Sequence, residues 1–369
     1  MPTGSLKGQR PPEQGDGAGT RNRTADLLIT NQPLYQLSCP GESLSPSAMS
    51  PMLVRYTSWL GILLGGSVSH AVCRSSQREY VNYKHPEYLI EVEQLQALLA
   101  HDSNVRVFDA SVLLHRADNG YTAEPGIKAY LDEHIPGAGF IDLLNDWSDT
   151  DSPLNNTLLP PRELAAAIGN SGINAKHKVV LYSSGHMMWA TRAWWCLHYA
   201  GHPNIAVLNG NLSAWRNAGL PTHSGMESYA AESFSAEPNR GAIVSTLEVE
   251  QAIEQSTCIV NALSPELYAG TGDFYYQRRG HIPTSLLLHF DSLLSNEYFM
   301  PAEQLSAALN QLGMLHDGKV ITYCGGGIAA TIDAFACKLL GQHDVAVYDG
   351  SMSEWVQSPD RALTLGDNP

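Results

Sequence analysis

From Pro86 onward the chain alternates two kinds of apolar spacing. Short runs rich in β-branched and aromatic residues read as buried strands: Val105 to Phe108, Val179 to Tyr182, Ile205 to Leu208, Cys258 to Val260, Val320 to Tyr323 and Val345 to Tyr348. Between them, apolar residues recur three and four apart in Val92 to Ala100, Pro161 to Ile168, Ala190 to Tyr199, Ala302 to Leu312 and Ala329 to Leu340, which read as helices. Pro161 opens one of these, Gly169 and Gly341 close two, and Ser245-Thr246-Leu247-Glu248 has the form of a capping box. Continuous apolar strands interleaved with helices predict an α/β fold in which a parallel sheet is covered on both faces.

The same order of landmarks occurs twice. His134-Ile135-Pro136-Gly137-Ala138 matches His281-Ile282-Pro283-Thr284-Ser285, an offset of 147 (281 minus 134). Val179 to Ser183 matches Val320 to Cys324, an offset of 141, and Leu208-Asn209-Gly210 running to Trp215 matches Tyr348-Asp349-Gly350 running to Trp355, an offset of 140. Three matched landmarks in one order predict two copies of one domain, over 86–225 and 242–369, joined by a weakly periodic linker at 226–241.

Residues 1–85 form a leader. Residues 1 to about 48 are rich in Gly, Pro, Arg, Asn and Ser without apolar period, which reads as disordered or outside the fold, and translation beginning at Met49 or Met52 is a second reading. From there Arg55, the apolar stretch Trp59 to Val68 and Ser69-His70-Ala71 have the form of a signal peptide over about 49–71, giving an exported, periplasmic protein. The competing reading is a hydrophobic N-terminal helix of a cytoplasmic protein. The apolar stretch is short for a membrane span.

The 369 residues accommodate two domains. Net charge is −15 (22 minus 37), which argues against nucleic acid or an anionic membrane as partner and leaves a small anionic substrate open. The six cysteines form no CxxC and no zinc-like cluster, so neither a metal nor another cofactor is expected. Cys196, Cys258 and Cys337 lie in apolar periodic runs and read as core.

Cys324 stands apart. It ends a strand and is followed by Gly325-Gly326-Gly327 and then by Ile328-Ala329-Ala330, where a helix begins. A thiol there lies under free amides at the positive end of a helix, which favours thiolate over thiol. Glycines let several N–H groups converge on one sulfur or one anion. A Cys-x5-Arg phosphatase loop is excluded because Ala330 stands at the arginine position, and a nucleotide P-loop because Gly327-Ile328-Ala329 lacks Gly-Lys-Ser/Thr.

With these residues in view, the chain from Pro86 onward resembles the tandem-domain rhodanese family of thiosulfate and 3-mercaptopyruvate sulfurtransferases. His134 to Ala138, Asp142, Ser148-Asp149 to Ser152-Pro153 and Leu159-Pro160 are similar to the family's non-catalytic N-terminal domain. Gly280 to Pro283, Cys324 to Ala330, Tyr348 to Ser351 and Glu354-Trp355 resemble its catalytic domain. The resemblance implies two tandem rhodanese-like domains, each a parallel sheet with helices on both faces. It also implies that Cys324 takes a sulfane sulfur from a small anionic donor and passes it to a thiol or cyanide, with Gly325 to Ala330 stabilising the persulfide. Ser183 stands in the place of Cys324 in the first repeat.

Against the family pattern, Gly326 replaces a serine, Asn156 or Thr157 replaces a histidine, and Asn261, Leu263 and Leu267 replace an Asp-x-Arg and a donor-binding arginine. Arg278 and Arg279 are the nearest cations and are expected to bind donor, while His281 and Asp349 are expected to brace loops. The expected protein is a monomer with small-molecule partners, and a persulfide carrier without turnover or a degenerate binding module is the alternative.

Overall fold

A computed structural model describes residues 83–117, 120–272 and 276–369; the leader and its signal-peptide reading lie outside these. The first half runs β1 (Leu89–Ile90), α1 (Val92–His101), β2 (Val105–Asp109), β3 (Val112–Ala117), β4 (Gly120–Pro125), α2 (Ile127–Asp132) and β5 (Gly139–Phe140). It continues with α3 (Pro161–Asn170), β6 (Lys178–Tyr182), α4 (Met187–Tyr199), β7 (Ile205–Leu208) and α5 (Asn211–Asn217). The second half runs β8 (Ile243–Val244), α6 (Thr246–Glu254), β9 (Cys258–Asn261), α7 (Pro265–Ala269), β10 (Leu286–Leu287), β11 (Leu294–Ser295) and β12 (Tyr298–Phe299). Then come α8 (Ala302–Gln311), β13 (Val320–Tyr323), α9 (Ala330–Leu339), β14 (Val345–Tyr348) and α10 (Ser351–Trp355).

Each half holds a five-stranded sheet, in the orders β1-β7-β6-β2-β5 and β8-β14-β13-β9-β10. Every pairing within the two sheets is parallel. The two orders superimpose landmark for landmark, as a duplication requires. The capping box at Ser245 and Glu248 is formed at the start of α6. The pattern did not reveal the antiparallel hairpin β3–β4, which pairs Val112 with Pro125 and carries the exposed side chains of Leu114 and Tyr121.

Burial explains why α4 and α9 are apolar all round. Residues Met187 to Leu197 of α4 and all ten residues of α9 are buried, because the two helices pack on each other between the two sheets. A helix enclosed on every side has no face to leave polar. Trp194 of α4 meets Phe335 of α9 edge to face, with ring centroids 5.0 Å apart. Thr191 and Thr331, 140 apart in sequence (331 minus 191) and so matched by the repeat, join the two helices through a hydrogen bond between their Oγ1 atoms, 2.7 Å long. One apolar core spans both halves, and a smaller one lies on the outer side of each sheet.

The stretch 226–241 is a strap laid along the first half. Glu232 N–H donates to the Gly169 carbonyl (2.8 Å), Glu237 N–H to Ala200 (3.1 Å) and Asn239 N–H to Tyr199 (2.8 Å). Its approach is close enough that a Cβ on Gly201 would strike the Glu237 carbonyl, which accounts for that glycine.

Asp333 breaks the pattern of α9. It is fully buried, neither carboxyl oxygen has a hydrogen-bond partner among the described residues, and burial raises its pKa well above the ordinary value. Stability drawn from a protonated carboxyl is complete below the unfolded pKa of about 4 and falls as pH rises toward the raised folded value. Asp109, whose pKa burial lifts to about 6, acts in the same direction. Asp333→Val is therefore expected to stabilise the protein by roughly 1–3 kcal/mol at pH 8, with the gain shrinking toward pH 4. Melting curves at the two pH values check this, and a gain that grows on acidification would contradict it.

Candidate active site

Cys324 leaves the end of β13 and is 2% exposed, at the start of the loop that leads into α9. The loop is held from below by α10. Met352 N–H donates to the Cys324 carbonyl (3.1 Å), and Ser353 gives both its N–H (2.9 Å) and its hydroxyl (2.7 Å) to the Gly325 carbonyl. Ser351 Oγ accepts from the amides of Cys324 and Gly327, each at 3.1 Å, and donates to the Tyr348 carbonyl (2.7 Å). Ser351 adopts φ +48°, a left-handed conformation that aims its hydroxyl at both ends of the loop.

With those bonds made, the amides of Gly325, Gly326, Ile328 and Ala329 have no protein acceptor among the described residues. Four donors beside one sulfur, at the N-terminus of a ten-residue helix, form a cradle for an anion.

The three glycines serve different ends. Gly327 alone has a positive φ, +72°, and a Cβ there would lie 2.6 Å from the Asp349 carbonyl. A Cβ on Gly325 would collide with the Tyr276 hydroxyl, while on Gly326 it would meet Asn155 O and Ser353 Oγ at an ordinary 3.8 Å. Only one of the three is thus glycine for its backbone angles, fewer than the sequence suggested, and Gly326 has space for a side chain.

The first half carries the same device with the first two amides of its loop occupied. Asn211 Oδ1, at φ +56°, accepts from Ser183 N–H (3.1 Å), the counterpart of Ser351 and Cys324. Here Ser111 Oγ takes the Ser184 amide (2.6 Å) and Ser183 Oγ takes the Gly185 amide (3.0 Å). The copy lacks the thiol, and the two amides directly after Ser183 are both occupied.

Arg192 of α4 reaches across from the first half. Its guanidinium is 2% exposed and donates to Asp349 Oδ1 (2.6 Å), the Gly327 carbonyl (3.2 Å) and the Asn156 carbonyl (2.7 Å). Burial opposes its charge most strongly, but Asp349, Cys196 and Cys324 together outweigh this and hold the pKa above the ordinary arginine value. Asp349 Oδ2 in turn accepts from Leu158 N–H (2.8 Å). One ion pair therefore joins the Cys324 loop, the segment before α3 and the strand end of β14. The sequence held a signal for it, a lone charge inside the apolar run from Ala190 to Trp195.

The arginines expected to bind donor both donate to backbone carbonyls. Arg278 spends its terminal nitrogens on the carbonyls of Ser358 (2.7 Å) and Arg361 (2.6 Å), so it clamps the carboxyl-terminal segment rather than presenting a free guanidinium to the thiol. Arg279 donates to the Gly270 carbonyl at 3.5 Å. His281 stacks on Tyr268 at 3.6 Å, and its backbone pairs with Thr364, so it braces the chain end and not the Cys324 loop. Asp349 lies against the loop, through Arg192 and the close approach to Gly327.

The remaining described cysteines are core thiols. Burial pushes Cys196 and Cys258 up to about 11 and Cys337 well above its ordinary value. Among the described residues no group of histidines, cysteines and carboxylates has the arrangement of a metal site.

Comparison with known proteins agrees with this geometry. The rhodanese-like domain family matches the chain twice, over residues 91–218 and 245–358. The 3-mercaptopyruvate sulfurtransferase of Escherichia coli K12 is 30% identical over 257 residues, covering 69% of this chain and 90% of that protein. Rat thiosulfate sulfurtransferase is 31% identical over 248 residues, covering 65% of this chain and 83% of that enzyme. The crystal structure of SseA from Escherichia coli, a 3-mercaptopyruvate sulfotransferase with the rhodanese fold, aligns with a TM-score of 0.64 at 28% identity, over 72% of this chain and 98% of SseA.

Proposed function

The chain belongs to the rhodanese family, and from that membership we propose that it is a sulfurtransferase in which Cys324 carries the sulfur. The Cys324 thiolate attacks the outer sulfur of a small anionic donor. With thiosulfate, the new S–S bond forms as the old one breaks, and sulfite departs with the electron pair. A thiol or cyanide then attacks the bound sulfur and restores the thiolate. Two displacements through a covalent intermediate give double-displacement kinetics.

The observation that carries this reading is the contrast between the copies. The amides of Gly325 and Gly326 have no protein acceptor among the described residues, whereas those of their counterparts Ser184 and Gly185 are taken up by serine hydroxyls. Donors fixed in place before the charge arrives stabilise a sulfur anion without reorganisation. No basic side chain stands between Gly325 and Ala330, so these amides also receive the anionic end of the donor.

Relatives named for thiosulfate and for 3-mercaptopyruvate match at nearly equal identity, so similarity does not choose between the donors. The test is mass spectrometry after incubation with each donor, followed by cyanide. One added sulfur atom on Cys324 that cyanide removes is the expected result. Loading without turnover would make the protein a carrier, and no loading would refute both readings.

A further inference from the structure

The open amides beside Cys324 belong to four peptide units, and in a planar trans unit the N–H points opposite to the C=O. Whatever holds the carbonyl therefore aims the amide. Met352 N–H holds the Cys324 carbonyl (3.1 Å) and so turns the Gly325 amide away from α10. Ser353 does the same for the Gly325 carbonyl and the Gly326 amide, through its N–H (2.9 Å) and its hydroxyl (2.7 Å). Thr331 holds the Ile328 carbonyl with its N–H (3.0 Å) and hydroxyl (2.6 Å), which directs the Ala329 amide. The unit between Gly326 and Gly327 lies the other way round, its N–H taken by Ser351 Oγ (3.1 Å).

The fourth clamp comes from the other half. The Gly327 carbonyl, which shares a peptide unit with the Ile328 amide, accepts from Arg192 Nη1 (3.2 Å). The same nitrogen donates to Asp349 Oδ1 (2.6 Å) and Nη2 donates to the Asn156 carbonyl (2.7 Å), so three acceptors fix the planar guanidinium. Against burial, Asp349, Cys196 and Cys324 hold the Arg192 pKa up, which puts its charge within electrostatic reach of the thiol. Ile332 stands 140 residues after Arg192, so the repeat turns a cation toward the loop of the thiol and keeps an apolar side chain in the matching place.

We propose that Arg192 is a positioning residue of the sulfur site: by holding the Gly327 carbonyl it aims the Ile328 amide at the outer sulfur of the persulfide, so that a side chain of the first half stabilises sulfur carried by the second. The proposal rests on the sulfurtransferase reading above. When the Cys324 thiolate bonds to the outer sulfur of thiosulfate, the donor's S–S bond breaks and sulfite leaves with the electron pair. The negative charge of the thiolate then stands on the outer sulfur of the persulfide. A hydrogen bond to a charged group is stronger than a neutral one, and any such bond weakens steeply as its angle closes. Misaiming one donor therefore shifts the equilibrium back toward thiosulfate.

The experiment compares Asp349→Asn with the double variant Asp349→Asn plus Arg192→Ile. Each is equilibrated with thiosulfate and sulfite at a series of fixed ratios, mass spectrometry reads the fraction of Cys324 carrying one added sulfur, and melting curves are taken on the same samples. Asp349→Asn alone leaves a buried guanidinium without its anion, and adding Arg192→Ile removes that cost. The expected result is that Tm rises with the second substitution while the ratio of thiosulfate to sulfite needed for half loading rises about tenfold. A side chain that only supported the fold would move stability and loading in the same sense.

Half loading that stays within about twofold, or that becomes easier as Tm rises, would overturn the proposal. A tenfold loss of loading in Asp349→Asn alone, measured against wild type, would overturn it as well, because that variant keeps Arg192 and its bond to Gly327; this comparison stands even where the double variant does not fold. A wild type that takes no sulfur from thiosulfate at any ratio would also overturn it, and the sulfurtransferase reading falls too only if 3-mercaptopyruvate leaves Cys324 unloaded.

Discussion

Cys324→Ser is expected to lower sulfur transfer by more than about 10³-fold and to abolish loading of sulfur on the loop, while Cys337→Ser keeps both within a few-fold. The serine retains every amide of the cradle, since the bonds from Ser351, Met352 and Ser353 all involve backbone atoms of the loop. Only the atom that holds the sulfur changes. In the first half Ser183 already stands at the position of Cys324, its amide held by Asn211 as that of Cys324 is by Ser351. Cys337 lies in the middle of α9 with its thiol raised by burial, so its loss costs packing and not chemistry. Comparable losses in the two variants would refute the assignment of Cys324.

Arg192→Ile is expected to destabilise the protein by roughly 3–5 kcal/mol, because it strands the Asp349 carboxylate in a buried setting. In a protein of this size that corresponds to a fall in Tm on the order of 10 °C. The choice of isoleucine follows the duplication: Ile332 stands 140 residues after Arg192, and Asn209 stands 140 before Asp349. Asn209 makes the matching contact with a neutral side chain, its Oδ1 accepting from Phe299 N–H across the interface (3.0 Å). Arg192→Ile combined with Asp349→Asn therefore copies the uncharged arrangement of the first half. The double variant is expected to regain at least half of the lost stability, and strictly additive losses in the melting curves would show that the two residues do not act as a pair. Charge sits on the copy that holds the thiol, where Arg192 also grips the Gly327 carbonyl.

The strands that lead into Cys324 and Asp349, the helices on either side and the duplication itself were legible because each follows from local spacing. Helix ends moved by a residue or more: α3 runs through Gly169 to Asn170, and α4 begins at Met187 instead of Ala190. The strap at 226–241 was not legible as structure, since its hydrogen bonds go to Gly169, Ala200 and Tyr199 and leave no period of their own. The partners of Arg278 were hidden for a related reason. A cation beside a glycine and a motif histidine looks available until the carbonyls of Ser358 and Arg361, some 80 residues on, occupy it.

By itself, the sequence determined the α/β class, the two copies, the single thiol at a strand end and the family to which these belong. These depend on periodicity and on which atom is present, and both are written along the chain. Tertiary structure decided which donors stay open, since a loop amide is free or consumed according to whether a distant hydroxyl, that of Ser351 or Ser111, reaches it. It decided too that Arg192 serves the site of the other half, and that Tyr276 lies over Gly325. A hydrogen bond is satisfied in space, and no spacing along one strand or helix reports where the partner will stand.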